Sequence, residues 1–171
     1  IGQSICRYFS QFPEFEIIAT NFNKPIIEID NVAWEKVDLH DLNQTQNLFR
    51  TYYDYVINAA AVTSGSNMTY LNPNIHVLNN IRMNVNIFEA MNSGILPTKY
   101  IFLSCTVMYP SSDSAHNELE IINQSEINSR YFGIGNTKLF IEQLCKFYSM
   151  RSQTSFVALR HSNIYGPYDR S

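Results

Sequence analysis

The sequence contains few of the residue types that organise specialised folds. Its 171 residues include three cysteines, six glycines and six prolines. Cys6, Cys105 and Cys145 are odd in number and stand in no paired spacing, which favours reduced thiols over a disulfide or zinc framework. So few glycines and prolines argue against a collagen-like or low-complexity chain, and 45% hydrophobic residues argue against disorder. The composition therefore predicts one soluble globular domain with a packed core.

Clustered charge is also lacking. The net charge is −3 and the lysines and arginines are scattered singly, so neither nucleic acid nor a membrane surface is an expected partner. No apolar run reaches about 18 residues and no signal peptide opens the chain, which predicts a cytoplasmic protein. Metal-binding spacings such as HExxH or paired cysteines are absent, so no metal is expected.

Apolar residues alternate between strand-like and helical spacing along the chain. This alternation predicts an α/β fold, a doubly wound parallel sheet in a single domain over residues 1–171. Ligands of such sheets bind beyond the carboxyl ends of the strands, so the residues after Ala61, Cys105 and Arg160 should line one crevice. Asp41 is expected to cap the second helix. The predicted helices cover 2–12, the segment after Asp41, 75–92 and 131–150, and the predicted strands cover 14–20, 34–39, 55–61, 100–105 and 154–160.

Several short segments occur in the order and spacing of one protein family. They are Ile1-Gly2 at a helix start, Val37-Asp38-Leu39, Asn58-Ala59-Ala60-Ala61, Ser104-Cys105-Thr106 before Tyr109-Pro110, Thr137-Lys138, and Arg160 to Pro167. On these residues the chain resembles the extended short-chain dehydrogenase/reductases of the NAD-dependent epimerase/dehydratase family, which act on nucleotide sugars. The stretch from Gly65 to Pro110 looks nearest to GDP-fucose synthase-like epimerase-reductases.

The resemblance spans the chain but only part of the family's length. It implies a partial NAD(P)-binding Rossmann domain. A first strand and the earlier glycines of the phosphate-binding turn are expected upstream of Gly2, and a substrate domain is expected after Arg170. Because the first residue is Ile1 rather than Met, the sequence is expected to be a fragment.

The resemblance implies a bound NAD or NADP. Gly2 stands at the last glycine of the turn, where backbone approaches the pyrophosphate. Read alone, Asp38 is equally a turn residue and the alanines equally a tight strand end. The implied cofactor contacts are Gly2, Asp38, Leu39, Ala59, Ala60, Ala61, Asn80 as a brace, Lys138, and Asn163 toward cofactor or nucleotide sugar.

The residues at the end of the first predicted strand bear on the choice of cofactor. NAD enzymes often place an acid there to bind the ribose hydroxyls, whereas this chain has Thr20 and Asn21, with Lys24 nearby. Absence of an acid removes repulsion toward a 2′-phosphate. The sequence therefore leans toward NADP.

The family's chemistry uses a tyrosine acid/base and a lysine four residues later. Lys138 matches the lysine, but Ile134 stands at the tyrosine position. Tyr131 lies seven residues before Lys138 and could replace that tyrosine only if the helix starts late, as Gly133 and Gly135 allow. Otherwise Tyr131 packs against the sheet as a helix-start aromatic. Tyr109 is a second candidate for the acid.

The third catalytic position also departs from the family pattern. Cys105 stands where the family has serine or threonine, and the hydrogen bond to substrate could pass to Thr106. Cys105 could itself be a nucleophile, although buried strand-end cysteines are usually inert. His161 could bind substrate or be structural, and Asn163 is a candidate substrate contact as well.

The resemblance implies a nucleotide-sugar oxidoreductase or epimerase that moves hydride between a nicotinamide and a nucleotide-linked hexose. Ile134 and Cys105 support an alternative, a catalytically impaired Rossmann-fold protein that binds or regulates. A third possibility is a truncated product without activity of its own. By family analogy a homodimer is expected, formed through the helices at 75–92 and 131–150.

Overall fold

The computed structural model describes residues 1–63 and 74–166, which form five strands and four α-helices. In chain order they are α1 (Gly2–Phe9), β1 (Ile17–Asn21), β2 (Val32–Lys36), α2 (Leu42–Leu48), β3 (Tyr55–Asn58), α3 (Asn74–Ser93), β4 (Lys99–Leu103), α4 (Phe132–Ser149) and β5 (Ser155–Leu159). Two 3-10 turns, Gln124–Glu126 and Ser129–Tyr131, precede α4. No described helix is long and apolar enough to cross a membrane.

All strand pairs are parallel, so the predicted α/β class is confirmed. β1 pairs with β2, with Ile17 opposite Val32, and β4 lies between β3 and β5. Within the described residues the strands form two parallel sheets, because β1 and β3 are not paired with each other. The first helix is also shorter than predicted and ends at Phe9 rather than beside Pro13.

A cleft of about 280 Å³ separates the two sheets. Its walls include Ile18 to Thr20 of β1 and all four residues of β3, and Gly2 lies at its border. Within the described ranges, β1 pairs only with β2 and β3 only with β4, so each strand leaves one edge open along this inter-sheet cleft.

The core lies between β4 and the helices α3 and α4. Tyr100 and Phe102 alternate with more exposed neighbours on β4, and both are at most 1% exposed. The ring of Phe88 on α3 lies 5.6 Å from the ring of Tyr100 and 5.0 Å from that of Tyr148 on α4. Burying an aromatic side chain of this size contributes about 1.5–3 kcal/mol, so this cluster fixes both helices on one face of the sheet.

The predicted cap of α2 is confirmed. Asp41 Oδ1 accepts hydrogen bonds from the backbone N–H groups of Asn43 at 2.9 Å and Gln44 at 3.2 Å. These bonds, with Gln44 contributing most, lower the pKa of the Asp41 carboxyl. The cap sets where α2 begins and thereby places the Asp38-Leu39 segment at the crevice.

A close approach between α3 and the end of α2 depends on Gly94. A Cβ at Gly94 would lie 2.5 Å from the carbonyl oxygen of Phe49 and 2.9 Å from that of Ala90. The backbone N–H of Ile95 donates to the same Phe49 oxygen at 2.7 Å, so this backbone cannot retreat without losing a hydrogen bond.

We predict that Gly94→Ala destabilises the fold by about 1–3 kcal/mol, because it overpacks a backbone contact. Thermal unfolding should show a Tm several degrees lower. Gly166→Ala is the control, since a Cβ there meets no atom within 4 Å. Equal Tm values for the two variants would contradict the importance of this contact.

Candidate functional site

The carboxyl ends of the strands border two cavities. One is the inter-sheet cleft, and the other is a groove of about 2010 Å³ that runs from the carboxyl ends of β4 and β5 along β5 and α4. We call the second cavity the strand-end groove, and it is lined among others by Thr106, Tyr109, Tyr131, Arg160 and His161. The predicted site residues divide between these cavities and the segments that join them.

Four predicted cofactor contacts come together at the inter-sheet cleft, namely Gly2, Leu39, Ala59 and Ala60. A Cβ at Gly2 would lie 3.7 Å from the Cβ of Ala59, so the start of α1 approaches the segment after β3. Because the first backbone N–H groups of a helix lack partners within the helix, the α1 start presents donors at this border. Ala61 is exposed just beyond.

Asp38 is held in a turn. Its Oδ1 accepts from the backbone N–H of His40 at 2.9 Å and contacts the His40 ring nitrogen Nδ1 at 3.1 Å. Asp38 is thus a turn residue in the structure, and its contact with adenine stays a prediction. The carbonyl of Leu39 accepts from the Asn86 side chain at 2.9 Å, which ties the segment to α3.

Asn80 contacts the segment after β3, and its role as a brace of a cofactor site stays a prediction. Its Oδ1 accepts from the backbone N–H of Val62 at 2.9 Å, and its Nδ2 donates to the Val62 carbonyl at 3.0 Å. The side-chain amide therefore pairs with both backbone groups of one residue, which fixes the orientation of that backbone.

Lys138 lies at the carboxyl end of β4. Its Nζ donates to the Leu103 carbonyl at 2.7 Å and stands 4.6 Å from the centre of the Phe102 ring. Burial lowers the pKa of Lys138, while the neighbouring Cys105 and Glu142 act in the opposite direction. The contact with Leu103 brings the ammonium to the start of the Ser104-Cys105-Thr106 segment.

The thiol of Cys105 is poorly suited to nucleophilic attack, because burial raises its pKa. Cys6, Cys105 and Cys145 are all free thiols, and burial raises the pKa of Cys145 to about 12. Thr106 follows Cys105 and lines the strand-end groove. Among the described residues, no group of three acidic, histidine or cysteine side chains is placed to hold a metal ion.

Tyr131 was expected to replace the catalytic tyrosine only if the helix started late, and this condition is wrong. α4 begins at Phe132 and is helical through Ile134 and Gly135. Tyr131 therefore lies before the helix, at the end of a 3-10 turn, and not in the helical turn that precedes Lys138. The glycines serve close packing instead. A Cβ at Gly133 would lie 2.8 Å from the Val77 side chain.

Sequence reasoning missed an ion pair behind the site. Arg160 donates to both carboxylate oxygens of Glu142, at 2.7 Å in the shortest contact, and Ser104 donates to Glu142 at 2.6 Å. Arg160 also donates to the hydroxyl of Tyr109 at 2.7 Å. This network anchors the chain after β4, and the spacing of Glu142 four residues after Lys138 was its only sequence signal.

Tyr109 therefore has a structural role, since its ring also stacks on His116 with the centroids 4.8 Å apart. His161 lines the strand-end groove, and its Nδ1 lies 2.7 Å from the Ser162 carbonyl oxygen. Asn163 is exposed two residues further on. The parts of the resemblance at 65–68 and 167–170 lie outside the described residues.

The known proteins that resemble this chain include nucleotide-sugar epimerases and reductases. GDP-mannose 3,5-epimerase from Arabidopsis thaliana is 27% identical over 161 residues, which cover 89% of this chain and 41% of that protein. The chain thus spans less than half the length of this relative.

Two solved structures share the fold. The UDP-glucuronic acid 4-epimerase from Bacillus cereus, in complex with NAD, has a TM-score of 0.74 and 23% identity over 99% of this chain and 54% of its own. The GDP-mannoheptose C4 reductase from Campylobacter jejuni, with NADP bound, has a TM-score of 0.63 and 18% identity over 82% of this chain and 45% of its own.

The family profile described as "NAD dependent epimerase/dehydratase family" matches residues 1–171. Because that match extends over the whole chain, the chain belongs to the NAD dependent epimerase/dehydratase family.

Proposed function

We propose that this chain is the cofactor-binding part of an enzyme that transfers hydride between a nicotinamide cofactor and the sugar of a nucleotide sugar, as an epimerase or reductase. The observation that supports this most is the convergence of Gly2, Leu39, Ala59 and Ala60 on one cleft at the start of α1. Small residues and free helix N–H groups fit a pyrophosphate there. NAD or NADP, when bound, supplies the hydride chemistry.

The second half of the proposed site is the strand-end groove. Lys138 holds the positive charge at the end of β4, where it would orient the cofactor ribose. Thr106, Tyr131 and His161 line the groove and provide the hydroxyl and imidazole groups that would bind the sugar. In the related proteins named above, the printed activities act on GDP- and UDP-linked sugars.

NADP is the proposed cofactor. Asn21 ends β1 and its side chain donates to the Lys24 carbonyl, while Lys36 lies opposite Asn21 in the parallel register. Thr20 and Asn21 place no carboxylate at this strand end, and two lysines stand close to it in sequence or register. Lys24 and Lys36 would therefore offer positive charge to a 2′-phosphate, which Glu35, opposite Thr20 in the same register, offsets in part.

We predict that NADPH binds more tightly than NADH and that Asn21→Asp weakens NADPH about tenfold while leaving NADH nearly unchanged, because a carboxylate repels the phosphate. Titration by nicotinamide fluorescence measures both Kd values in the complete protein. Asn47→Asp, an exposed change on α2, controls for net charge. Tighter binding of NADH to the parent protein would reject the NADP assignment.

Lys138 is proposed to act on the cofactor and the substrate. We predict that Lys138→Met, which retains packing over Phe102, lowers kcat by two or more orders of magnitude, because the ammonium that orients the reacting groups is lost. Arg151→Ala, at an exposed cationic residue just beyond the same helix, is the control. An unchanged kcat in folded Lys138→Met would remove Lys138 from the mechanism.

A catalytically impaired binding protein is the second candidate, and one observation favours it. The helix is regular through Ile134, so no phenol stands four residues before Lys138. This candidate predicts cofactor binding in the parent protein without turnover of any GDP-, UDP-, CDP- or dTDP-sugar. Turnover that depends on Lys138 would reject it.

The chain is also proposed to form a homodimer through α3 and α4, which pack against each other. Both helices expose apolar side chains, including Leu78 and Val85 on α3 and Phe140 and Phe147 on α4. An uncovered apolar surface of this kind is typical of an interface.

We predict that the double variant Phe140→Ser/Phe147→Ser converts a dimer to a monomer, because burial of these rings would be lost. Light scattering coupled to gel filtration gives the mass. Ile26→Ser, at a side chain that is 50% exposed between β1 and β2, should leave the dimer intact. A parent protein that is monomeric at micromolar concentration would reject the interface.

A further inference from the structure

A chain of polar side chains runs through the core from β4 to the segment after β3. It consists of Tyr100, Asn58, Asn84, Asn80 and His76, and we call it the amide ladder. Tyr100, Asn84, His76 and Asn58 are 0%, 2%, 4% and 6% exposed. His76, Asn80 and Asn84 are spaced four residues apart, so they lie on one face of α3 with a rise of about 6 Å per step.

The members of the amide ladder are linked by hydrogen bonds, some to side chains and some to main-chain carbonyls. Asn58 Nδ2 donates to Asn84 Oδ1 at 2.9 Å and to the Tyr100 hydroxyl at 2.8 Å. Asn84 Nδ2 donates to the Asn80 carbonyl at 2.8 Å. The remaining links reach the main chain after β3, where Ala60 N–H donates to Asn58 Oδ1 at 3.2 Å.

The other end of the ladder holds Val62. Asn80 pairs with both backbone groups of Val62, and a ring nitrogen of His76 lies 3.2 Å from the same carbonyl. Segment 59–62 is thus tied at two points, Ala60 and Val62, to buried side chains. Ala59 and Ala60 of this segment are the ones that line the inter-sheet cleft.

Stability alone does not account for these polar groups. Replacing hydrogen-bonded partners by apolar groups of similar shape is often nearly neutral, whereas removing one partner strands a buried donor or acceptor. Buried polar networks that are fully paired specify one arrangement of the atoms they bind. Here the atoms they bind are backbone groups at the border of a cavity rather than packing partners of the core.

We propose that Asn84 and Tyr100 are positioning residues that act through the Asn58 side chain and the main chain at Asn80 to fix the backbone of residues 59–62 for cofactor binding. The cofactor part of this inference rests on the proposed function. The aromatic packing of Tyr100 against Phe88 and Phe156 sets its hydroxyl, with ring centroids 5.6 and 5.4 Å apart. The hydroxyl in turn sets the Asn58 side chain.

The test compares Tyr100→Phe and Asn84→Leu with Thr154→Val. Thr154 is the matched control because it is also buried and donates one hydrogen bond, to the Pro97 carbonyl at 2.7 Å, at the amino end of β5. Two readouts are made in the complete protein: amide hydrogen exchange at Ala60 and Val62, and the Kd of NADPH. The Tm of each variant is recorded so that variants of equal stability are compared.

The expected result is exchange about five- to tenfold faster at Ala60 and Val62, and a Kd for NADPH raised by a similar factor, in both ladder variants. Thr154→Val should change neither the exchange rates nor the Kd, even where its loss of Tm is comparable. Because a merely structural role would move the Tm without moving the Kd, the two readouts separate positioning from packing.

Exchange and Kd values equal to those of Thr154→Val would overturn the inference. Faster exchange with an unchanged Kd would overturn the cofactor role and leave only a fixed backbone. If the parent protein binds neither NADPH nor NADH, the proposed function fails and the cofactor part fails with it. The exchange rates would then still decide whether the ladder fixes residues 59–62. If Asn84→Leu does not fold, Tyr100→Phe, which removes one oxygen atom, carries the test.

Discussion

Burial of one face of β4 against α3 and α4 is the interaction on which both parts of the candidate site depend. Tyr100 and Phe102 lie in the core between these helices. The hydroxyl of Tyr100 reaches Asn58 and so connects to the segment after β3. The ring of Phe102 lies beneath the ammonium of Lys138. A shift of β4 would therefore move the cleft and the charge at its end together.

Charged side chains lie at the carboxyl end of the same strand, β4. Lys138 meets the Leu103 carbonyl, and Ser104 meets Glu142, which is paired with Arg160 from the end of β5. The pair is partly buried, with side chains 19% and 9% exposed, so removing one member leaves the other charge poorly solvated. The pair therefore holds the carboxyl ends of β4 and β5 in a fixed relation, and the segment carrying Cys105 and Thr106 leaves from that fixed point.

Much of the fold follows from the sequence because parallel α/β units have a strong pattern. The 18-residue stripe that predicts a helix at 75–92 matches α3 to within one residue at each end, and the Asp41 cap is local chemistry. The resemblance implied that the first strand, the usual centre of such a sheet, is expected upstream of Gly2, and the described strands divide into two sheets with the inter-sheet cleft between β1 and β3.

Candidate site residues were predicted where they belong to a short sequence motif, and they were missed where they depend on tertiary contacts. Asn80 and Lys138 were singled out by the family resemblance, and their functional roles stay predictions, whereas the bond from Asn58 to Tyr100 joins residues 42 positions apart. The expectation for Tyr131 was wrong because glycine allows either an irregular backbone or a close contact. Here Gly133 and Gly135 provide close contacts within a regular helix, with Val77 and Ile127 respectively.

The most direct test of this account is to map where the cofactor binds, by hydrogen exchange across the complete protein with and without saturating NADPH. The account predicts that protection appears at the start of α1, in residues 58–62 and at residues 103–106, since these meet the inter-sheet cleft and Lys138. Binding of NADPH with protection confined to other segments, such as 110–128, would contradict it.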